Sequence, residues 1–568
     1  MKNKKINSKS ILKAALSLLL PLLFLLAAGK LGGFVFEAND DRFISEILSG
    51  VFYNTPSAHA VFLLPWVSFP IMLLYRIAPG ISWWGGFLIA VFYCSNVLIL
   101  YSGLDFCDRK AAETEEKSDK APSWILPYAS VLLGSLALCL AAFYFASQVQ
   151  FTSAAIVAAA AGYAVYILNA EKKSSVVIFF LAELVSYSIR ADGMLLVQPF
   201  GMLLLFGILL TEKKHFLKKL LPAVIAVLAV LLAGLLGKAV SGEYSAGYRS
   251  FDTFNKMRAA FYDYEGTPPY EDVQSILDRY GVSKEEWNAF ASGYIADWPM
   301  NDGLNGDLLD YAKANTENGK ISLIPPLAKS WLLFPVLAGV AAFAAILLSK
   351  KYLYLVSFGG ILLSHCVAWG YLSYKGRMVP RVCCPLLWAE CTLFLVLMWY
   401  IILSSAKKSL FIIKAVLTSL LLAGALLSGF KQYQTVKGRY ETQEILQESL
   451  AQIEEYCDSH PENRYLFDPF SVTASNGLAL ENRRTGQPNY RNLGTWVAAT
   501  PEFREDFAKY MEKGGALYYV TPDFGEDNLR IDSDLGAHLK SLYGENAELA
   551  DTVAVSTGGN YLIYRITE

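Results

Sequence analysis

Charged residues are scarce in this chain of 568 residues. Lysine, arginine, aspartate and glutamate together make up 18% of the sequence, whereas a water-soluble chain carries roughly 25% of them. Hydrophobic residues account for 54%, and the formal net charge is −2. The deficit of charge indicates segments buried in lipid, and the near-neutral balance gives no support for a nucleic-acid partner.

Motifs for several common chemistries are absent as well. The eight cysteines include no CxxC pair, and seven of them lie in or beside apolar runs. Neither a zinc site nor a disulfide framework is therefore indicated. The sequence shows no Gly-rich phosphate loop, no HExxH motif and no Ser-His-Asp triad. These absences argue against a nucleotide-consuming enzyme and against a protease.

Long apolar runs, by contrast, are abundant. A helix needs about 20 apolar residues to cross a bilayer. The candidate segments are residues 11–36, 60–78, 84–103, 123–146, 151–168, 175–189, 193–210, 220–240, 327–348, 352–373, 383–403 and 409–429. The first follows a basic N-terminus and exceeds the roughly 7–15 residues of a signal-peptide core. We therefore expect an uncleaved first helix rather than a secretory signal peptide.

The distribution of lysine predicts the side of the membrane on which each loop lies. Lysine and arginine collect on the cytoplasmic side. Lysine clusters occur at the N-terminus and at Lys172-Lys173, Lys213-Lys214 with Lys218-Lys219, Lys350-Lys351 and Lys407-Lys408. We therefore expect a multi-pass protein of the plasma membrane with a cytoplasmic N-terminus. The loop 242–325 and all residues after Phe430 are expected outside.

One region does not fit a simple alternation of sides. If the loop 105–122 is cytoplasmic, residues 60–104 must cross the membrane an odd number of times, yet they contain two apolar segments. Segment 60–78 carries Pro65 and Pro70, which interrupt helical hydrogen bonding, so it is either re-entrant or bent. The alternative is that the loop lies outside. The expected number of spans is therefore 11 to 13.

The residues after 429 read as a small α/β domain outside the membrane. A polar helix is predicted at 440–459, strands at 465–467 and 516–520, and a helix near 532–543. Another helix is predicted to start at Thr500-Pro501, and a final hairpin to turn at Gly558-Gly559-Asn560. The expected fold is thus a polytopic α-helical membrane domain over 1–429, with outer loops 37–59 and 242–325, followed by the α/β domain 430–568.

The most informative residues are an acidic pair, Asp40-Asp41, directly after the first span. The following residues place an apolar stripe at helical spacing, which predicts a short amphipathic helix lying in the membrane interface: Phe43, Ile44, Ile47, Leu48 and Val51. Asn39 is the expected N-cap, and the helix dipole would keep both first-turn carboxylates ionised. Ordinary helix capping is the alternative interpretation of the pair.

This layout resembles the GT-C superfamily of polyprenyl-phosphate-sugar-dependent glycosyltransferases. The likeness is to the protein mannosyltransferase and aminoarabinose transferase family, whose first outer loop carries a D-D, D-E or E-x-D motif. It extends to superfamily members of Gram-positive bacteria through these residues: Asn39-Asp40-Asp41, Ile47-Leu48-Ser49-Gly50, Pro56, Leu74-Tyr75, Pro79, Trp83-Trp84, Gln150-Phe151-Thr152 and Ser188-Ile189-Arg190-Ala191-Asp192-Gly193. As architecture, the resemblance covers residues 1–430.

The resemblance implies transfer of a hexosyl or pentosyl group from a polyprenyl phosphate to an acceptor outside the cytoplasm, with inversion. It assigns Asp40 as the general base, with Asp41 orienting the acceptor; the reverse order stays open. The acceptor is a glycan, a lipid or a protein. Some GT-C enzymes bind a divalent metal through the acidic loop, but one acidic pair plus Glu37 offers too few ligands. No cofactor is therefore expected, and a metal stays an unsupported alternative.

Basic residues in outward-facing turns are candidates to bind the leaving phosphate. Lys375, Arg377 and Arg381 share a turn without acidic residues, and Arg190 lies at another outer hairpin tip. Arginine suits phosphate because its planar fork donates two parallel hydrogen bonds. The alternative is that these side chains bind membrane lipid headgroups, and that Arg190 simply pairs with Asp192. His59 in the first outer loop is a further substrate-contact candidate, although a structural role is the alternative.

Two other functions compete with the glycosyltransferase hypothesis. One is a transporter or flippase of a lipid-linked saccharide, which would place charges and broken helices at the bilayer midplane. Here the spans are nearly free of charge, with Glu183 and Glu390 as the main exceptions. The other is a non-catalytic membrane scaffold. Both alternatives make the acidic pair dispensable.

Overall fold

The protein is described by a computed structural model. It covers residues 8–52, 55–115, 125–213, 215–242, 245–316, 319–403, 410–473, 475–482, 484, 488–523, 525 and 530–567. The N-terminal lysines before Ser8, Lys214, the pair Lys407-Lys408 and residues 116–122 of the loop 105–122 lie outside these ranges.

The part up to residue 403 is almost entirely helical, with one two-residue strand pair. Its helices and strands, in chain order, are α1 (Ser8–Gly32), β1 (Val35–Phe36), α2 (Asn39–Ser49), α3 (Pro65–Ile77), α4 (Trp83–Glu115), α5 (Ile125–Ala141), α6 (Phe143–Ser147), β2 (Gln148–Val149), α7 (Phe151–Asn169), α8 (Lys173–Ile189), α9 (Ala191–Glu212), α10 (Phe216–Val240), α11 (Ala246–Ala260), α12 (Tyr270–Tyr280), α13 (Lys284–Ala291), α14 (Asp302–Asn315), α15 (Lys329–Ser349), α16 (Leu355–Tyr374) and α17 (Pro380–Leu403).

The remaining elements form the C-terminal part. They are α18 (Leu410–Asp458), β3 (Arg464–Phe467), α19 (Pro469–Thr473), β4 (Tyr490–Asn492), a 3-10 turn (Trp496–Ala499), α20 (Pro501–Met511), β5 (Leu517–Pro522), α21 (Asp534–Tyr543), β6 (Asn546–Ala554) and β7 (Asn560–Thr567).

The chain is a polytopic α-helical membrane protein, as predicted. Within the described ranges, nine helices are long and apolar enough to cross a membrane. At the centre of the bundle, α7 and α17 are almost wholly buried. The outer faces of α1, α10 and α16 instead expose leucine, isoleucine and valine, which is the arrangement expected of helices that contact lipid.

Ion pairs gather at one end of the bundle, here called the N-terminal face. Lys13 near the start of α1 pairs with Asp105 at 2.8 Å, and Lys172 pairs with the same carboxylate. Arg109 donates to the Asn169 side chain at the end of α7. Lys172, and Lys219 through its pair with Glu171, thus lie on the same face as the start of α1 and the start of the loop 105–122.

The irregular region 60–104 contains one crossing helix and one that does not cross. At the start of α3, the Leu64 N–H donates to the Ser188 carbonyl oxygen at 2.9 Å, at the end of α8 opposite the N-terminal face. Just after α3, Ile81 forms a β-bridge with Glu481 of the C-terminal part. Both ends of α3 therefore lie on the far face, and only α4 crosses.

With both ends on one face, α3 is placed as a segment that does not cross, which corresponds to the re-entrant or bent alternative. Helices α5 and α8 have 17 residues each and run between the same two faces as their longer neighbours. Together with the nine longer helices they give eleven candidate crossings in the part of the chain that the structure describes.

The C-terminal part contains a five-stranded mixed sheet with the order β4-β3-β5-β7-β6. Strands β4, β3 and β5 are parallel, and β7 is antiparallel to both β5 and β6. Side chains alternate between the two faces of the sheet. Tyr465 and Phe467 pack on the end of α18, while Leu466 faces α20 and α21. The predicted strands, helices and final hairpin are confirmed, as is Thr500, whose side chain accepts the Phe503 N–H.

The C-terminal part is joined to the membrane part by a continuous helix and a shared core. The boundary predicted after residue 429 falls inside α18, whose 49 residues extend for roughly 70 Å at 1.5 Å per residue. One apolar cluster includes Phe43 of α2, Trp287 of α13 and Phe503 of α20. The apolar face of α2 is thus buried in protein. This corrects the expectation that it lies in the lipid interface.

Two neighbouring glycines of α4 provide a test of this junction. A Cβ on Gly85 would lie 1.6 Å from the Ala479 carbonyl oxygen, whereas a Cβ on Gly86 would meet nothing within 4 Å. Gly85→Ala should therefore lower the melting temperature in detergent, at a cost of about 1–3 kcal/mol. Gly86→Ala is the matched control and should be neutral or slightly stabilising. Equal melting temperatures for the two variants would contradict the close contact.

Candidate active site

A two-residue parallel strand pair fixes the segment that precedes the acidic pair. Val35 and Phe36 of β1 pair with Gln148 and Val149 of β2. The Glu37 N–H then donates to the Val149 carbonyl oxygen at 3.0 Å. This register places the start of α2 beside the start of α7. The N-cap of α2 is Ala38 rather than the predicted Asn39, and Ala38 has no side-chain group that could cap the helix.

Asp41 is fully buried and connects three helices. Its Oδ1 accepts hydrogen bonds from the Trp84 indole N–H at 3.1 Å and from the Phe151 backbone N–H at 3.2 Å. Burial and the neighbouring Asp40 raise the pKa of Asp41 well above its usual range, although both hydrogen bonds lower it. This differs from the expectation of an ionised first-turn carboxylate, because the cost of removing water outweighs the helix dipole.

Asp40 lies one position earlier and is only half-buried. One of its oxygens, Oδ1, accepts a hydrogen bond at 2.9 Å from the indole N–H of Trp496, which belongs to the 3-10 turn of the C-terminal part. The two members of the acidic pair therefore differ in environment. Asp41 is enclosed by the membrane helices, whereas Asp40 is partly accessible and contacts the C-terminal part.

Arg190 brings positive charge close to Asp40. Its guanidinium lies over the Phe62 ring at 4.2 Å and the Phe151 ring at 5.5 Å, and it pairs with Asp192 at 3.2 Å. Burial lowers the pKa of Arg190, while Asp192 and then Asp40 raise it. The predicted pairing with Asp192 is thus present, and it does not keep Arg190 away from the acidic pair.

Arg377 and Arg381 also belong to this charge cluster. Both act electrostatically on Arg190 and lower its pKa. Arg377 pairs with Asp263 at 3.3 Å. The backbone carbonyl of Arg381 accepts the Ser153 hydroxyl at 3.2 Å, in the first turn of α7. The first turn of α7 thus contacts Arg381 through Ser153, and Asp41 and Arg190 through Phe151.

The other two predicted residues have different surroundings. Lys375 is exposed, with its ammonium 5.8 Å from the centre of the Tyr374 ring. His59 Nδ1 lies 3.0 Å from Glu502 Oε1, and the Tyr248 hydroxyl donates to the same carboxylate. His59 thus connects the first outer loop, the loop 242–325 and the C-terminal part, so its described contacts correspond to the structural interpretation.

Glu37 is a member of the cluster that the sequence did not single out as a site residue. Burial raises the pKa of Glu37 to about 7, against the opposing effects of the Tyr144 hydrogen bond, Arg381 and Arg439. The Tyr144 hydroxyl donates to Glu37 Oε1 at 2.9 Å and in turn accepts from Arg439 at 3.0 Å. Its position three residues before Asp40 was the only signal in the sequence. Arg439 lies on α18, and no pattern in the sequence marked it as a site residue.

The arrangement can supply a carboxylate base beside a group of cations. A general base must be reachable by its substrate, which favours Asp40 over the enclosed Asp41. Among the residues that the structure describes, no three His, Cys, Asp or Glu side chains are placed to hold a metal ion together. The chemistry that these residues can perform is proton removal next to a bound anion.

Comparison with known proteins does not identify a family for this chain. No protein-family model matches the chain, and no curated protein matches it significantly. Among solved structures, it is similar to ArnT from Cupriavidus metallidurans in the apo state. The two share 13% sequence identity over 97% of each chain, with a TM-score of 0.38. A TM-score this low carries no inference about activity.

The elevated pKa of Glu37 predicts a pH-dependent contribution to stability. Because the folded-state pKa of about 7 exceeds the ordinary value of 4.5, the folded protein binds this proton more tightly than the unfolded chain. The contribution is therefore complete below the ordinary value and is lost as the pH rises through the folded-state value. Glu37→Gln, which cannot ionise, should lose less thermal stability than the wild type between about pH 5 and pH 8.

The measurement is thermal unfolding of both proteins in detergent across that pH range. The wild-type curve contains the titration of every other group, so only the difference between the two proteins reports on Glu37. Parallel curves would show that Glu37 titrates at its ordinary value in the folded protein.

Proposed function

We propose that the protein is an inverting glycosyltransferase of the GT-C type, acting on a polyprenyl-phosphate sugar at the outer face of the plasma membrane. We take the N-terminal face as cytoplasmic because its lysines follow the positive-inside tendency. The far face, with the acidic pair and the C-terminal part, is then extracytoplasmic. The observation that supports this most is geometric: Trp496 holds Asp40 and contacts the Phe62 ring, over which the Arg190 guanidinium lies at 4.2 Å.

In the proposed reaction, an acceptor hydroxyl or amine attacks the anomeric carbon of the donor sugar. Asp40 takes the proton from the attacking group as the new glycosidic bond forms. The bond between the anomeric carbon and the phosphate oxygen breaks on the opposite side, so the configuration inverts. The electron pair leaves with the polyprenyl phosphate, and the proton remains on the carboxyl group until it is released to water.

Asp41 has a positioning role in this proposal. Its two hydrogen bonds connect α2 to Trp84 of α4 and to Phe151 of α7, which fixes the helix turn that carries Asp40. Enclosure also favours the neutral form of Asp41. Two adjacent ionised carboxylates would repel each other and the phosphate, so a neutral Asp41 leaves a single negative charge at the base.

The arginines stabilise the phosphate as its charge increases. Preformed cations at a partly desolvated site are effective because they need no reorganisation as the bond breaks. Arg190 is held by two aromatic rings, and the backbone of Arg381 is anchored by Ser153. Since both lie where the spans end, they are at the depth of a lipid phosphate group. The apolar polyprenyl chain would remain in the membrane.

Asp40→Asn is the direct test of the base. We expect glycan transfer in membranes or proteoliposomes to fall by roughly 10²–10⁴-fold, the usual contribution of a positioned general base. Asp252→Asn is the matched control, because Asp252 is exposed on α11 and pairs only with Lys256 in the described contacts. Protein amounts are compared by immunoblot. Full activity of Asp40→Asn would exclude the proposed mechanism and would favour a transporter or a scaffold instead.

Arg381→Gln tests the phosphate-binding role. Loss of a charge-assisted hydrogen bond to phosphate should lower kcat/KM for the lipid donor by about 10–100-fold. Lys375→Gln should have a smaller effect, since the lysine is exposed beside Tyr374. Arg279→Gln, on the exposed pair with Asp307, is the control for loss of a surface arginine. Equal effects of the Arg381 and Arg279 variants would contradict a specific site.

A further inference from the structure

The hydrogen bond between Trp496 and Asp40 joins positions 456 residues apart in the sequence. Trp496 is only 4% exposed, and its ring meets the Phe62 ring edge-on at 6.1 Å. Phe62 in turn stacks on Phe151, the residue whose N–H holds Asp41. The C-terminal part therefore contacts the functional carboxylate directly, through a side chain enclosed by aromatic rings.

Backbone strain is present on both sides of this contact. Five described residues other than glycine have positive φ angles: Phe62, Lys213, His215, Lys350 and Thr495. Lys213, His215 and Lys350 flank helix ends on the N-terminal face. The other two are Phe62 at 79°, whose ring contacts Trp496, and Thr495 at 66°, the residue before Trp496. Such conformations are costly for residues with a Cβ and persist where the surrounding structure requires them, often at functional sites.

The turn that carries Trp496 is also held by hydrogen bonds and close packing with neighbouring segments. The Leu493 carbonyl oxygen accepts hydrogen bonds from the Ile295 N–H at 2.8 Å and the Ala296 N–H at 3.1 Å, both in the loop 242–325. A Cβ on Gly494 would lie 2.6 Å from the Cβ of Pro469, so the backbone packs closely there. The backbone that carries Trp496 is therefore held in place, which a residue that orients a reacting group requires.

We propose that Trp496 is a positioning residue for Asp40, so that the C-terminal part completes the active site. Its indole N–H holds Oδ1 of the carboxylate and thereby fixes the direction in which Asp40 receives the acceptor proton. This inference rests on the proposed function, because it assigns a role toward the base of that reaction. The indole N–H supports acceptor deprotonation, whereas the Trp496 ring contacts Phe62, over which Arg190 lies. A test of the N–H must therefore keep an aromatic ring at position 496.

The test is Trp496→Phe in the full-length protein, which keeps an aromatic ring and removes the N–H. We expect kcat to fall by about 10–100-fold, the equivalent of one hydrogen bond to a charged group. KM for the lipid donor should change by less than about threefold, because donor binding does not use this contact. If Trp496 were merely structural, its substitution would change the amount of folded protein but would not lower kcat while leaving KM nearly unchanged.

Trp298→Phe is the matched control. Trp298 is 3% exposed, and its indole N–H donates to Asn305 Oδ1 at 2.9 Å, within the loop 242–325. Both substitutions thus remove a buried indole hydrogen bond to a side-chain oxygen, but only one of these oxygens belongs to Asp40. If the two variants have the same kcat per folded molecule, the proposal is overturned. Melting temperatures in detergent give the loss of stability for each variant.

A second variant addresses a Trp496→Phe protein that does not fold. Thr495→Gly should fold, since glycine adopts a positive φ without a Cβ clash, and it loosens the turn that holds Trp496. We expect a lower kcat with little change in donor KM, and an unchanged kcat would count against the proposal. Asp40→Asn distinguishes a failure of the positioning role from a failure of the proposed function. If that variant is inactive while both changes at the turn leave kcat intact, only the role of Trp496 fails. If Asp40→Asn is fully active, the proposed function fails and the positioning role with it.

Discussion

The Asp41 carboxylate lies wholly inside the protein, where the Trp84 indole and the Phe151 backbone N–H hold it. Burying a carboxylate without enough partners costs several kcal/mol, so the neutral form is favoured and the surroundings must stay in place to satisfy it. This contact connects α2 with α4 and α7. Because a helix turn is rigid, fixing Asp41 also fixes the direction of Asp40, and the rest of the site is arranged around that turn.

The two faces of the bundle treat charge differently. On the N-terminal face, lysines and aspartates neutralise one another at short distance, as Lys13 and Asp105 do. On the far face, Arg190 and Arg377 pair with Asp192 and Asp263, and burial raises the pKa of Glu37 and of Asp41. Carboxyl groups held neutral would leave the arginines less compensated, which favours binding of an anion. This difference between the faces supports the proposal of a phosphate-linked substrate on the far face.

The C-terminal part packs directly against the membrane part. Helix α18 leaves the membrane without interruption, and the sheet that follows shares its apolar core with α2 and the loop 242–325. His59 and Glu502 add a polar contact across the same junction. Movement of the C-terminal part would therefore be transmitted to Trp496 and through it to Asp40. The site is built by segments from the beginning, middle and end of the chain.

The sequence by itself determined the spans, the elements of the C-terminal sheet and the acidic pair, because hydropathy and helix or strand periodicity are local properties. It also located Arg190, Arg377 and Arg381, since positive charge in outward turns stands out against lysine-rich inner loops. Only the tertiary structure decided that α3 does not cross, because its direction depends on contacts with Ser188 and the C-terminal part. It likewise decided that Asp41 is enclosed while Asp40 is accessible. Burial, and with it the protonation of a carboxylate, depends on which distant residues surround it, and no local pattern records that Trp496 meets Asp40.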